Sequence, residues 1–196
     1  MADDSERLAL SPEIVVETAL HMTQDQGLDS VTMRALAKAL DVTPMALYYH
    51  VANKDELVVL MVEKVVADRT ELVLDERGWQ SALRTHMMEL WENLRQYPGL
   101  ALFMFGLPTL GASTSSYESA TKFFQDAGFP PRVAHLAWSF AWTYLHGRLS
   151  VESHLDRAAS RKSGTGAIRA RDHVTFGIEA VILALEQILQ DPTLVP

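Results

Sequence analysis

The segment VTMRALAKALDVTPMALYYHVANK, residues 31–54, decides the fold, because it reads as two short helices joined by a tight turn. The hydroxyl of Thr32 can cap the first helix. The apolar residues that recur on one face of that helix are Met33, Leu36, Ala37 and Leu40. Thr43 and Pro44 then form a second start signal, a cap followed by proline at the first helical position. Two short helices with so brief a link must cross steeply, which predicts a helix-turn-helix.

The second helix is predicted to run from Pro44 to about Val51 and to pack through Leu47. The residues that the pattern leaves without an internal partner are Met45, Ala46, Tyr48, Tyr49 and His50. Hydroxyl and imidazole groups can reach phosphates, while methyls and rings can touch base edges. This set is therefore typical of an element that reads a DNA groove. The alternative is an ordinary helical hairpin whose aromatic residues lie in the core.

The segment from Thr32 to Lys54 resembles the DNA-binding motif of the tetracycline-repressor (TetR) family. Members of that family carry T-x-R-x-L-A-x-x-L, a short turn, L-Y-x-H-x and then N-K-x-x-L. The matching residues here are Thr32, Arg34, Leu36, Ala37, Leu40, Leu47, Tyr48, Tyr49, His50, Asn53, Lys54 and Leu57. The resemblance implies an all-α protein with an N-terminal three-helix helix-turn-helix domain and a C-terminal helical domain for ligand binding and dimerisation.

The resemblance also implies which residues contact DNA. They are Thr32, Arg34, Thr43, Pro44, Met45, Ala46, Tyr48, Tyr49, His50 and Lys54. Lys54 starts the next helix, where family members contact a phosphate, and Asn53 and Glu56 form a capping box at that start. The expected domains are residues 1–54 for DNA binding, 55–75 for a connecting helix, and 76–196 for ligand binding and dimerisation.

Two helices are predicted in the C-terminal part, residues 132–155, which are rich in aromatic residues, and residues 172–190, which carry apolar residues on more than one face. A helix of the second kind must be buried on more than one side, and a partner subunit is the natural second cover. In the first of them, Gly147 is predicted to allow close helix approach. The resemblance implies that this pair forms a four-helix homodimer interface. Two-fold symmetry then predicts a palindromic double-stranded DNA operator.

The resemblance further implies a small-molecule inducer held in the C-terminal domain. The candidate lining residues are His86, Leu90, Trp91, Met104, Phe105, Trp138 and Trp142. A lining rich in methionine and aromatic residues favours an apolar or aromatic compound, although a core position is the commoner role for each of these side chains. Met104 stands where the tetracycline repressor has a histidine ligand to the drug-bound magnesium, which argues against tetracycline. The histidines show no metal-binding spacing, so neither a metal site nor a cofactor is expected.

The overall charge opposes DNA binding, since the 196 residues carry a formal net charge of −8. From Ser30 to Lys54, however, the basic residues Arg34, Lys38 and Lys54 face one acid, Asp41. A small basic island on an acidic chain suits a selective binder with a modest salt dependence. The chain has no cysteine, no apolar run long enough to span a bilayer and no secretory leader pattern, which predicts a soluble cytoplasmic protein.

No sequence signature of an enzyme is present: there is no GxSxG elbow, phosphate-binding GxxxxGK[ST] loop, GxGxxG motif or cysteine nucleophile. The sequence therefore predicts a ligand-responsive transcriptional regulator, in particular a repressor that an apolar or aromatic inducer releases from DNA. The alternative is an all-helical small-molecule-binding protein without DNA-binding activity.

Overall fold

The computed structural model describes residues 10–67, 72–74, 76–104, 115–159 and 170–195. Within these ranges the chain forms α-helices and short 3₁₀ turns and contains no strand, which confirms the all-α prediction. The helices are α1 (Pro12–Gln26), α2 (Met33–Ala39), α3 (Pro44–Leu47), α4 (Lys54–Ala67), α5 (Trp79–Leu94), α6 (Leu100–Met104), α7 (Ser115–Asp126), α8 (Pro131–Ala159) and α9 (Ala170–Gln190). None of the helices so described is long and apolar enough to cross a membrane.

Helices α1 to α4 form the part of the molecule that we call the head, residues 12–67. Helix α1 packs on α2 and α4, and α2 packs on α3. Residues from each of these helices are buried together, among them Val15, Leu36, Leu47 and Met61. The short α3 is therefore held in place by tertiary packing, as a helix of one turn must be.

Side-chain caps set the starts of the head helices. The backbone N–H of Ile14 donates to the Ser11 hydroxyl (3.4 Å), that of Ala35 to Thr32 (3.1 Å), and that of Ala46 to Thr43 (3.3 Å). Each cap satisfies one of the backbone N–H groups that a helix start leaves without a partner. The helix starts predicted at Thr32 and Thr43 are thus confirmed.

The predicted length of the second motif helix was wrong, because α3 ends at Leu47 and not near Val51. Two N–H groups converge on the Leu47 carbonyl, from His50 at 2.9 Å and from Val51 at 3.0 Å. Because both N–H groups share this acceptor, the residues after Leu47 form a tight turn. This turn follows the direction of α3 but lacks the regular hydrogen bonds of an α-helix.

The capping box predicted at the start of α4 is present in a modified form. The Glu56 N–H donates to the Asn53 side chain at 2.9 Å, as the motif requires. The Glu56 carboxylate accepts from the N–H of Ala52, the residue before the cap. The return bond therefore reaches one residue further back than the standard box, and it ties the end of the turn to α4.

Helices α5 to α9 form the remainder, which we call the body, residues 76–195. Helix α8 packs against α5, α6, α7 and α9, and α5 also packs on α9. The two helices predicted at residues 132–155 and 172–190 are both present, and the first extends further at both ends and the second at its start. In the core between these helices lie Leu83, Leu90, Leu145 and Ile178.

The Tyr144 ring of α8 packs against the backbone of α9 at Gly177. A Cβ atom on Gly177 would lie 1.9 Å from the Tyr144 hydroxyl oxygen, so only glycine leaves room for this ring. The Tyr144 hydroxyl donates to the His173 carbonyl at 3.0 Å. The sequence had pointed to Gly147 instead, but no described neighbour comes within 4 Å of a Cβ built there.

Candidate nucleic-acid interface and ligand site

The residues around α3 point away from the head core. Met45 is 68% exposed, Tyr48 48% and Tyr49 85%, whereas Leu47 is fully buried. Since Leu47 anchors the turn, its neighbours necessarily lie on the outer side. The alternative prediction of a hairpin with its aromatic residues in the core is therefore wrong.

The other residues predicted to contact DNA lie in the same continuous segment of the head. Those with exposed side chains are Thr32, Arg34, Thr43 and Pro44, and those that are partly buried are Ala46, His50 and Lys54. The structure places them at the start of α2, along α3 and its following turn, and at the start of α4. All ten predicted residues thus belong to one short stretch, residues 32–54, with its caps and turns in place.

Lys54 does not extend freely into solvent. Its Nζ donates to the carbonyl oxygen of Leu28 at 3.3 Å, across the 3₁₀ turn between α1 and α2. The ammonium group is therefore held at a defined place beside the start of α4. Sequence reasoning could not find this partner, because a backbone carbonyl 26 residues away leaves no mark in the local pattern.

The exposed side chains can make different kinds of contact with DNA. The hydroxyls of Tyr48 and Tyr49 can donate to phosphate oxygens, and Arg34 and Lys54 can neutralise them. The Met45 side chain has no strong hydrogen-bonding group, so it can contact only apolar features of a base edge, such as a thymine methyl. The proline at the start of α3 and the Thr43 cap fix the backbone in advance, which lowers the ordering cost of binding.

In the body, α5 and α8 bring several of the predicted ligand residues together. Trp138 stacks on Trp142 with ring centroids 5.6 Å apart, and the His86 ring lies 6.2 Å from Trp138. His86 and Trp142 are partly exposed, and Trp138 is buried. His146, which the prediction missed, adds an edge-on ring at 4.3 Å from Trp142. Its spacing of four residues from Trp142 on one helix was the available signal.

The remaining candidates for ligand binding are Leu90, Trp91, Met104 and Phe105. Leu90 and Trp91 are buried in the core. Phe105 and the side chain of Met104 lie outside the described residues. The predicted set is therefore brought together in part, around His86 and the two stacked indoles of α8.

Trp91 is fixed by a buried ion pair that the sequence analysis did not detect. Its indole Nε1 donates to Glu152 at 3.0 Å, and the other carboxylate oxygen of Glu152 accepts from Arg148 Nε at 2.7 Å. The Arg95 guanidinium covers the outer face of the Trp91 ring at 4.4 Å from its centroid. Trp91 thus has a structural role in joining α5 to α8.

His146 is buried, and burial lowers the pKa of its imidazole below the ordinary value of 6.5. The hydrogen bond from its Nδ1 to the Trp142 carbonyl, 3.2 Å long, opposes this shift by favouring the protonated ring. Because the unfolded chain binds a proton more readily, the stability from neutral His146 is complete above the unfolded pKa. It is lost as the pH falls through the folded pKa.

We therefore expect urea unfolding to show a larger loss of stability between about pH 7.5 and about pH 5.5 in the wild type than in His146→Gln. The control is His21→Gln, which changes an exposed histidine on α1. An equal pH dependence in the wild type and in His146→Gln would contradict the assignment.

The outer face of α8 and α9 carries an open groove of about 400 Å³. Its lining residues are Phe140, Tyr144, Arg148, His173, Phe176, Gly177, Ala180 and Val181. Phe176, at the edge of the groove, is 79% exposed. Phe140 on α8 and Leu183 on α9 are also exposed. Large apolar side chains clustered on one face mark an interaction surface.

In the described residues, a capped and outward-facing helix-turn-helix is joined to a helical body. Residues 15–61 match the family model described as bacterial regulatory proteins, tetR family. Over these residues the chain is similar to that family of regulators.

Individual relatives agree with this assignment. The tetracycline repressor protein class D of Escherichia coli is 30% identical over 125 residues, which cover 63% of this chain and 57% of that protein. An HTH-type transcriptional regulator of Saccharopolyspora erythraea is 26% identical over 167 residues, 83% of this chain and 71% of that protein. The chain therefore aligns with little more than half of the class D repressor. These relatives are regulators of transcription, a class of proteins distinct from enzymes.

A solved structure extends the likeness to the body. A variant of TetR from Acinetobacter baumannii AYE, in complex with minocycline, superimposes with a TM-score of 0.77 at 25% identity. The match covers 92% of this chain and 98% of that one. The arrangement of head and body is thus that of a TetR-type protein over nearly the whole length.

Proposed function

We propose that this protein is a ligand-responsive transcriptional repressor that binds a palindromic operator as a homodimer. The observation that carries the proposal is the outward presentation of Met45, Tyr48 and Tyr49 around a fully buried Leu47. In this proposal residues 1–54 bind DNA, 55–75 connect, and 76–196 bind the ligand and the second subunit. The match of residues 15–61 to the tetR family model supports the proposal, and nothing in the described residues favours the alternative of a helical protein without DNA-binding activity.

The proposed DNA contacts follow from the chemistry of each exposed side chain. Thr32, Arg34, Tyr48, His50 and Lys54 contact phosphates and fix the register of the head on the duplex. The residues that face base edges or the groove wall are Thr43, Pro44, Met45, Ala46 and Tyr49. Sequence selection then depends on apolar contacts with thymine methyls and on groove shape more than on bidentate hydrogen bonds.

The experiment is a selection of duplexes from a random pool, followed by fluorescence anisotropy of the selected sequence at several salt concentrations. We expect selective binding that weakens as salt rises. Tyr49→Ala should reduce the affinity without changing stability, because 85% of this side chain is exposed. The control Tyr49→Phe separates the hydroxyl from the ring. Absence of any selected sequence would favour the helical binding protein without DNA-binding activity.

The proposed dimer forms through α8 and α9. The exposed apolar residues Phe140, Phe176 and Leu183 lie on these helices, and the groove between them is open in the single chain. A second copy related by a two-fold axis would cover both grooves at once. The same axis places both heads on one side, as reading two half-sites of one duplex requires.

We expect Phe176→Asp to convert the dimer to a monomer, because a carboxylate would be buried without a partner at the centre of the interface. Sedimentation equilibrium should then give a mass near the 21.8 kDa of one chain. The control is Val73→Asp, which changes a comparably exposed apolar residue (58%) that lies on neither helix. An unchanged mass for Phe176→Asp would place the interface elsewhere.

For the ligand we propose an apolar or aromatic compound with a flat ring system, in contact with His86, Trp138 and Trp142. The two stacked indoles and the partly exposed imidazole offer π-surfaces with one polar partner. Binding must favour the state with low DNA affinity if it is to release the operator. A panel of aromatic compounds should therefore include some that dissociate labelled operator from the wild type and not from Trp142→Ala.

A further inference from the structure

Besides the packing of α4 on α5 and α6, head and body are joined by a backbone hydrogen bond. The N–H of Leu28, in the 3₁₀ turn between α1 and α2, donates to the carbonyl oxygen of Pro98 at 2.9 Å. Pro98 lies in the turn between α5 and α6. The body is therefore attached to the head at the turn that precedes α2, the first helix of the helix-turn-helix.

The acceptor is presented by a specific turn. The Leu100 N–H donates to the Tyr97 carbonyl at 3.1 Å, so residues 97–100 form a β-turn. Pro98 occupies its second position, and Gly99, with φ of +91°, its third. Proline followed by a residue of positive φ is the signature of a type II turn, in which the central peptide, and hence the Pro98 carbonyl, is flipped relative to type I.

The donor side is equally constrained. Gly27 ends α1 with φ of +79°, and a Cβ atom there would lie 3.5 Å from the Pro98 carbonyl oxygen. The Leu28 side chain is buried in the core. The peptide that meets Pro98 thus follows a glycine whose positive φ other residues rarely adopt, and it is held in place by the packing of the Leu28 side chain.

The same residue holds Lys54. The Leu28 carbonyl oxygen accepts from Lys54 Nζ at 3.3 Å and from the Val31 N–H at 3.1 Å. Leu28 is therefore bonded to the body through its N–H and to the lysine at the start of α4 through its carbonyl. A displacement of the turn at residues 97–100 would move both bonds together.

We propose that Leu28 is a positioning residue that sets the Lys54 ammonium group against a DNA phosphate, and that the turn at residues 97–100 controls this setting. The inference rests on the proposed function, because it needs Lys54 to contact DNA. It assigns the regulation of one DNA contact to a turn in the body. A change in the turn alters DNA affinity through a single charge, without any change in the recognition residues.

The test measures affinity for the selected operator, and its salt dependence, in the wild type, Lys54→Met, Gly99→Ala and the double variant. Lys54→Met should weaken binding by about tenfold and flatten the salt slope by about 1. Gly99→Ala disfavours the positive φ and so turns the Pro98 carbonyl away from Leu28. We expect it to flatten the slope as well, and the double variant to bind no more weakly than Lys54→Met alone.

The control is Gly128→Ala, which introduces the same backbone strain at another glycine of positive φ, +97°, just after α7. Gly128 is exposed whereas Gly99 is buried, so this control isolates the backbone effect. It should leave the salt slope unchanged. A purely structural role of Gly99 would lower affinity without altering the slope, and this result would overturn the inference. So would additive effects of Lys54→Met and Gly99→Ala.

Amide hydrogen exchange gives a second readout that does not depend on DNA. The Leu28 N–H should exchange with solvent faster in Pro98→Gly than in the control Pro130→Gly. The ring of Pro98 is exposed, so its removal leaves no cavity. Unchanged exchange in Pro98→Gly would remove the turn from the mechanism. If the wild type selects no duplex, the proposed function fails together with this inference. If it binds DNA and the slopes do not respond, only the inference fails.

Discussion

Leu47→Ala should destabilise the head by about 2–5 kcal/mol, the range for truncating a fully buried leucine, and should abolish operator binding. Leu47 has no exposed surface, and its carbonyl organises the turn that carries Tyr48 and His50. Because α3 has a single turn, no remaining contact along the helix can replace this anchor. Loss of packing here therefore removes the presentation of the whole recognition segment.

Urea unfolding followed by circular dichroism measures the first effect, and fluorescence anisotropy with the selected operator measures the second. The matched control is Met45→Ala, two residues away on the same helix, where 68% of the residue is exposed. This control should change stability by less than about 0.5 kcal/mol while still weakening DNA binding. Equal stability losses in the two variants would show that Leu47 does not anchor α3.

Glu152→Ala should cost about 3–5 kcal/mol, because it leaves the Arg148 charge and the Trp91 indole N–H without their buried acceptor. The side chains of Arg148 and Glu152 are only 15% and 10% exposed. The free energy of unfolding from urea titration measures this loss. The double variant Arg148→Met with Glu152→Leu should recover the part of the loss that arises from the unpaired Arg148 charge, whereas the Trp91 indole N–H still lacks an acceptor.

A surface ion pair supplies the matched control. Arg84 and Glu179 also join two helices, α5 and α9, but their side chains are 42% and 40% exposed. Glu179→Ala should cost at most about 1 kcal/mol, because solvent screens the pair. Similar losses from Glu152→Ala and Glu179→Ala would mean that burial of the first pair contributes nothing.

The parts of the fold that the sequence predicted depend on neighbouring residues. The caps at Thr32 and Thr43 and the proline after the second cap act within one helical turn, so the local pattern contains them. The exposure of Met45 and Tyr49 followed from the absence of an apolar partner at helical spacing. The actual end of α3 depends on how two N–H groups share one carbonyl, which residue types do not specify.

What the sequence did not predict depends on contacts between distant residues. Glu152 reads as a solvated acid on a long helix, yet it is buried and accepts a hydrogen bond from Trp91, 61 residues earlier. Gly147 and Gly177 look equivalent in sequence, and only the position of the Tyr144 ring distinguishes them. The groove between α8 and α9 likewise exists only once both helices are packed.

The concentration of positive charge near α3 affects how the protein meets a duplex. Residues 30–54 carry three basic side chains and one acid, whereas the whole chain has a net charge of −8. In the field of a polyanion this distribution would favour orientations that turn the basic stretch toward the duplex. Collisions would then be orientationally biased before any contact forms. Misaligned encounters would be short-lived, so little protein would be lost to unproductive complexes on bulk genomic DNA.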